Sequence, residues 1–126
     1  MKKYLYILFI AILGLSTIQL TAQEKGNRVE SLRIAFITKK LDLSPDEAKG
    51  FWPVYDKYDE EMRKVIKEHR EKGGSELELE EKKLNIRKKH KNDFLKVISD
   101  KKFDSLIKAE SEWSIMVKKE LQRRRN

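Results

Sequence analysis

Apolar residues recur at helical spacing along most of the chain. The clearest run follows Leu43 and contains Phe51, Tyr55 and Tyr58, which fall on one side of a helix at about 100° per residue. Pro53 lies inside this run and cannot donate a backbone hydrogen bond, so we expect a kink there rather than a helix end. The full stripe comprises Ala48, Phe51, Tyr55, Tyr58, Met62, Val65 and Ile66.

Two boxes centred on serine begin helices in this pattern. Ser44 stands before Pro45 and Glu47, a combination that predicts an N-cap, a proline at the first helical position and a capping box. Ser99 follows Ile98 in the same plan. Any two capped amphipathic helices would look alike in this way, so spacing alone leaves open whether the box is a true repeat. We predict that Ser44, Glu47 and Ser99 are the helix caps of a repeated motif. The stripe after the second box comprises Phe103, Leu106, Ile107, Trp113, Val117 and Leu121.

These signals predict an all-α fold: a long antiparallel helical hairpin with flanking helices, about four helices in total. No segment alternates apolar and polar residues as a half-buried strand does. Gly73 and Gly74 form the predicted hairpin tip, and Ser75 begins the helix after it with a capping box of its own. The predicted inner face of the first helix comprises Val29, Leu32 and Phe36. The predicted helices span residues 28–40, 45–70, 76–97 and 100–122.

The third predicted helix carries apolar side chains on two sides. One stripe comprises Leu77, Leu84, Phe94, Leu95 and Ile98, and Leu79, Ile86 and Val97 lie roughly opposite. Between Leu84 and Phe94 the first stripe offers only Lys88 and Lys91, so the middle of the hairpin is predicted to be thinly packed. Either the lysine stems cover the partner helix, or this zone faces a protein. The candidate partner or dimer surface comprises Trp52, Leu79, Ile86, Lys88, Lys91, Val97 and Trp113.

The N-terminal residues are typical of an export signal. Lys2 and Lys3 precede an apolar run, and a more polar stretch ends at Ala22, where we expect cleavage. An uncleaved membrane anchor is the alternative, but the run is shorter than the roughly 20 residues that a spanning helix needs. We therefore predict a signal peptide at 1–22 and a single helical domain at 23–126, located in the periplasm without stable membrane insertion.

Charge and size limit the classes of partner. Without Lys2 and Lys3, 27 basic and 21 acidic side chains leave a net charge of +6. Export and the mixed signs along the helices argue against nucleic acid as a partner and favour solvated helix faces. About 100 residues, many of them charged, bury only a thin core. A homodimer would supply the missing burial.

Residues for catalysis or metal binding are sparse. The chain has no cysteine and no zinc-binding His-Glu-x-x-His box. His69 and His90 are its two histidines. His90 and Asp93 could share a metal ion, but two ligands do not make a specific site. We predict no enzyme activity, no cofactor and no metal site.

The capped boxes and the charged hairpin resemble the Spy/CpxP family of periplasmic stress proteins, which carries two copies of a Leu-Thr-x-x-Gln motif. Residues 43–47 and 98–102 match its spacing, with Ser in place of Thr and with Glu47 and Lys102 in place of Gln. The run from Arg33 through Phe51-Trp52-Pro53 looks closer to a Bacteroidetes-type branch labelled as sensors of ECF-type sigma factors.

The resemblance implies a helical hairpin protein, often a homodimer with a concave face. It implies one of two roles: a regulatory partner that binds an anti-sigma factor or sensor in the envelope stress response, or an ATP-independent chaperone that holds unfolded clients. A related branch senses metals through His, Met and Glu side chains. With only His69 and His90 present, this chain departs from that branch.

Overall fold

The computed structural model describes Gly26 and residues 28–126. The predicted signal peptide at 1–22, with its cut near Ala22, lies outside the described residues. The described residues fall into two units, which divide between Phe36 and Ile37. In the described part of the first unit, Arg33 forms an ion pair of 2.7 Å with Glu30. Everything described below belongs to the second unit unless stated otherwise.

The described residues form four helices and no strand, which confirms the predicted all-α fold with about four helices. Helix α1 covers residues 28–41 and crosses from the first unit into the second. Helix α3 ends two residues before the predicted Val97, because the Phe94 carbonyl accepts turn bonds from the amides of Val97 and Ile98. The other helices are α2 at Pro45–Lys72, α3 at Glu76–Leu95 and α4 at Asp100–Arg125.

Serine side chains cap the starts of three helices. Ser44 Oγ accepts from the Glu47 amide at 3.1 Å, and Glu47 Oε1 accepts from the Ser44 amide at 3.1 Å, so the capping box is complete. Ser75 and Ser99 accept in the same way from the amides three residues later, each at 3.1 Å. Each cap satisfies an amide that has no partner within its helix.

We expect Ser44→Ala and Ser99→Ala each to lower the free energy of unfolding by about 1 kcal/mol, because each removes an N-cap acceptor. Thermal or urea unfolding followed by circular dichroism measures the loss. The exposed Ser114→Ala on α4 caps nothing and serves as the control. Unchanged midpoints for both cap variants would contradict this account of the helix starts.

Helices α2 and α3 form an antiparallel hairpin. Early residues of α2 meet late residues of α3, as in the pair Phe51 and Phe94, whose ring centroids are 5.6 Å apart. Near the tip, His69 Nε2 lies 3.7 Å from a carboxylate oxygen of Glu76. Gly73 closes α2 with φ 76°, a left-handed conformation that other residues rarely adopt, and its amide donates to the His69 carbonyl at 2.9 Å.

Aromatic rings fill the base of the hairpin. Phe94 is fully buried, and its ring contacts Phe51, Tyr58 and Phe103 at centroid distances of 5.4 to 5.6 Å. Phe103 brings the first half of α4 against this cluster. The remaining buried apolar residues of the core are Ile37, Leu41, Tyr55, Met62, Ile86, Ile98, Leu106 and Ala109.

The first stripe predicted for α3 combines residues of two sides of the helix: Phe94 and Ile98 are buried as expected, but the leucines are not. The inner side is formed by Ile86, His90 and Phe94, which follow one another at intervals of four residues and are all buried. Leu77 and Leu84, predicted to lie with Phe94, are 79% and 46% exposed. Between Leu84 and Phe94, where the predicted stripe contains only lysines, the buried side chain is His90. The middle of the hairpin is therefore packed by a histidine.

Helix α1 also buries a different face from the predicted one. Val29 and Leu32, which belong to the first unit, are more than half exposed. Ile37, which is not among the residues of the predicted inner face, is almost completely buried within the second unit, as is Leu41. The helix then ends in a turn at Asp42, whose positive φ of 49° is one that Asp tolerates better than most residues.

Candidate protein-interaction surface

The outer side of α3 carries an exposed apolar row formed by Leu77, Leu84 and Leu95. Their positions differ by 7 and 11 residues, so at about 100° per residue they align within a few tens of degrees. Leu95 is 39% exposed although its neighbour Phe94 is fully buried. We call these three residues the outer row.

Two lysines predicted for the partner surface lie along this row. Lys88 is exposed. Lys91 is half-buried and turns toward α4, with its ammonium 3.4 Å from an Asp100 carboxylate oxygen and 5.6 Å from the centroid of the Phe103 ring. The row is therefore apolar at both ends and cationic between Leu84 and Leu95.

The other predicted surface residues lie elsewhere, so the seven do not form one patch. Ile86 is buried inside the hairpin and is not accessible to a partner in this structure, and Leu79 is half-buried. Trp52 is half-buried and stands edge-on to Phe51 at 4.9 Å. Val97 and Trp113 are also half-buried.

Val97 packs against α2 at Gly50. A Cβ atom at position 50 would lie 2.7 Å from Val97 Cγ1 and 3.2 Å from its Cβ, closer than packed carbon atoms approach. The absence of a side chain at Gly50 therefore lets the turn between α3 and α4 lie against α2. The position is helical, so the requirement is for space and not for an unusual backbone angle.

We expect Gly50→Ala to destabilise the protein by about 1 kcal/mol, because overpacking costs more than the roughly 1 kcal/mol gained in helix propensity. In a Val97→Ala background the closest contact, with Cγ1, is removed and only the 3.2 Å contact with the Cβ atom remains, so Gly50→Ala should be about 1 kcal/mol less destabilising than in the wild-type chain. Urea unfolding of the four chains of this double-mutant cycle measures both values. A stabilising Gly50→Ala in the wild-type chain would show that Val97 moves aside freely.

The two copies of the serine-centred motif meet in space. Lys102 Nζ donates to Glu47 Oε1 at 2.8 Å and to the Asp42 carbonyl at 2.8 Å. Glu47 and Lys102 occupy the same position in their two boxes, so α2 and α4 begin side by side. The hydrogen bond from Lys102, together with the Ser44 amide, lowers the pKa of the Glu47 carboxyl.

A polar cluster joins three helices further along. The Tyr58 hydroxyl on α2 donates to Glu110 Oε2 on α4 at 2.8 Å. Burial, and then the Glu110 carboxylate, raise the pKa of Tyr58. On α3, the Nε2 atom of the buried His90 lies 3.2 Å from Glu61 Oε2, and the His90 ring stands edge-on to Tyr58. Glu61 also accepts from Lys89 at 2.8 Å, and this bond is the main cause of its lowered pKa.

His90 was missed as a core residue by the sequence analysis. The signal was present, because His90 stands four residues from both Ile86 and Phe94, and a buried imidazole between two apolar residues completes one helix face. Asp93 is not the carboxylate that the His90 ring faces, since the Nε2 atom of His90 lies 3.2 Å from Glu61 on α2. In the described part of the chain, no three His, Cys, Asp or Glu side chains are grouped to hold a metal ion.

Among the described residues no helix has the length and apolar character needed to cross a membrane.

No family model matches the chain, and no match is found among curated proteins or solved structures. The resemblance to the Spy/CpxP family stays a prediction from the motifs.

Proposed function

We propose that this chain is a non-enzymatic, exported helical protein of the envelope stress response that works by binding a protein partner. In this proposal it is a sensor or regulatory partner in ECF-type sigma-factor signalling, binding an anti-sigma factor or sensor in the periplasm. The observation that carries the binding role is the outer row of Leu77, Leu84 and Leu95. The signalling role comes from the motif resemblance.

The geometry of the outer row suits a helical partner. Leu77 and Leu95 are 18 residues apart, about 27 Å along a helix. An amphipathic helix of five turns could lie along this row and cover Leu84 at its middle. Lys88, exposed beside the row, would favour a partner with acidic side chains flanking its apolar face.

A chaperone role is the second candidate, and the spread of exposed apolar residues favours it. They include Val29 in the first unit and Ile66 and Ile115 in the second, each at least 36% exposed. Such scattered contacts among basic residues suit weak binding of many unfolded clients, with charge speeding the encounter. A metal-sensing role has less support, because His69 and His90 each face a single carboxylate.

Co-purification from the periplasm separates the two roles. A regulator should recover one partner in stoichiometric amount, and Leu84→Asp should abolish its recovery, because a charge would interrupt the outer row. The matched control is Lys82→Asp, an exposed position two residues away on α3. Recovery of many proteins, with little change in Leu84→Asp, would instead support the chaperone role.

Self-association is predicted as well. Its expected interface is the same outer row, so a second copy and the partner helix would compete for it. We expect the protein to be a dimer at tens of micromolar in analytical ultracentrifugation and Leu84→Asp to be a monomer with unchanged helicity. The physical reason is that two copies of an exposed leucine row lose contact with water when they pair. A wild-type chain that sediments as a monomer would contradict the dimer.

A further inference from the structure

The stripe that buries α4 against the hairpin continues into its exposed second half. In the first half, Phe103, Leu106 and Ala109 are buried. On the same side of the second half, Val117 is 36% and Leu121 is 54% exposed. Every residue of 114–119 and 121–126 is exposed, so this half of the helix leaves the core while keeping an apolar side.

Cations dominate this exposed half. Residues 113–126 contain five Lys or Arg side chains and one carboxylate, a net charge of +4. That carboxylate, Glu120, accepts from Arg123 at 2.8 Å and from Arg124 at 3.0 Å, which lowers its pKa to about 2. Its negative charge is therefore matched by two of the cations within the helix itself.

The cations flank the apolar side on both edges. At about 100° per residue, Lys118 and Arg125 lie beyond Leu121 on one edge, and Lys119 and Arg123 lie on the other. Arg124 falls within the stripe, where its guanidinium pairs with Glu120. An apolar stripe bordered by cations on both edges is typical of a helix that lies in a lipid–water interface.

We propose that residues 113–125 of α4 bind the surface of an anionic phospholipid bilayer, with Val117 and Leu121 among the acyl chains and the flanking cations at the headgroup phosphates. Charge complementarity favours an anionic bilayer over a second copy of the segment, since pairing two copies would bring two charges of +4 together. The helix lies on the membrane and does not span it. Thirteen residues extend only about 20 Å, less than the roughly 30 Å hydrocarbon core.

Vesicle co-sedimentation tests the charge requirement. The processed protein from exporting cells is mixed with vesicles of phosphatidylcholine alone, or with vesicles in which phosphatidylglycerol replaces about a third of it. We expect binding only to the second kind, weakening as salt is raised. Replacing Lys118, Lys119 and Arg125 together by Gln should weaken binding about 100-fold. The control replaces the same number of exposed cations elsewhere, Lys57, Lys101 and Lys108, and should bind nearly as the wild type does.

A second pair of variants tests the apolar requirement. Leu121→Ser should weaken vesicle binding about tenfold, because a buried leucine is replaced by a polar residue. Leu84→Ser, at a similarly exposed leucine on α3, should leave it unchanged. Circular dichroism checks that both chains stay folded. All variants share the same N-terminal residues, so those residues cannot produce the differences.

Three results would overturn the proposal. The first is equal binding to both kinds of vesicle. The second is a control triple variant that weakens binding as much as the α4 variant does. The third is a lipid-free dimer that Leu121→Ser converts to a monomer, which would make a second copy the occupant of this face.

Discussion

Ile86→Asp is expected to remove much of the stability of the protein at neutral pH. Ile86 is 9% exposed on the inner side of α3, and its replacement puts a short carboxylate where the hairpin core excludes water. Loss of the apolar side chain and burial of an unpaired charge together cost about 4 kcal/mol or more. A small domain has only about 5 to 15 kcal/mol of stability in total. Circular dichroism at several protein concentrations measures the loss of helix.

Leu84→Asp is the matched control for this experiment. Position 84 lies two residues away on the same helix, so the local helix propensity cost of Asp is the same, but Leu84 is 46% exposed. This variant should remain helical, and its urea midpoint should shift far less than that of Ile86→Asp. If Ile86→Asp stays folded and Leu84→Asp unfolds, the inner and outer sides of α3 are exchanged relative to the structure.

Phe94→Ala should lower the free energy of unfolding by about 4 kcal/mol. Phe94 is completely buried and its ring touches aromatic residues of α2 and α4, so its truncation leaves a cavity where three helices meet. The aromatic contacts with Phe51 and Phe103 are lost in the same step. Urea unfolding at neutral pH measures the change, provided that enough folded protein remains for a native baseline.

Leu95→Ala provides the comparison, because residues 94 and 95 are neighbours that the sequence analysis placed on one stripe. Leu95 is 39% exposed, and its truncation should cost less than about 1 kcal/mol. Equal costs at the two positions would show that Leu95 is as well packed as Phe94. The outer row would then lose one of its ends.

The proposed interaction surface could be predicted only in part from the sequence. The sequence pattern predicts Lys88 at a partner surface, but it predicts the leucines at 77, 84 and 95 as core and Ile86 as surface. Two apolar sides of one helix are equivalent in a sequence pattern, since spacing gives their separation around the axis and not which of them meets a partner. The exposure of Leu84 and the burial of Ile86 decide this.

The sequence by itself determined the features that depend on neighbours along the chain. The starts of α2, α3 and α4 at Ser44, Ser75 and Ser99 agree with their predicted positions, because a cap is a contact between residues three apart. The hairpin tip at Gly73 also agrees, because its positive φ needs a residue without a side chain.

Only the tertiary structure decided which residues meet across helices. Nothing in the sequence places Lys102 on Glu47, 55 residues earlier, or the Tyr58 hydroxyl on Glu110. His90 is a core residue because its ring packs edge-on against Tyr58 and its Nε2 atom lies 3.2 Å from a carboxylate oxygen of Glu61. Local patterns determine where each helix begins and ends. The side that it buries is set by the free energy of contacts between residues far apart in the chain, which no local pattern contains.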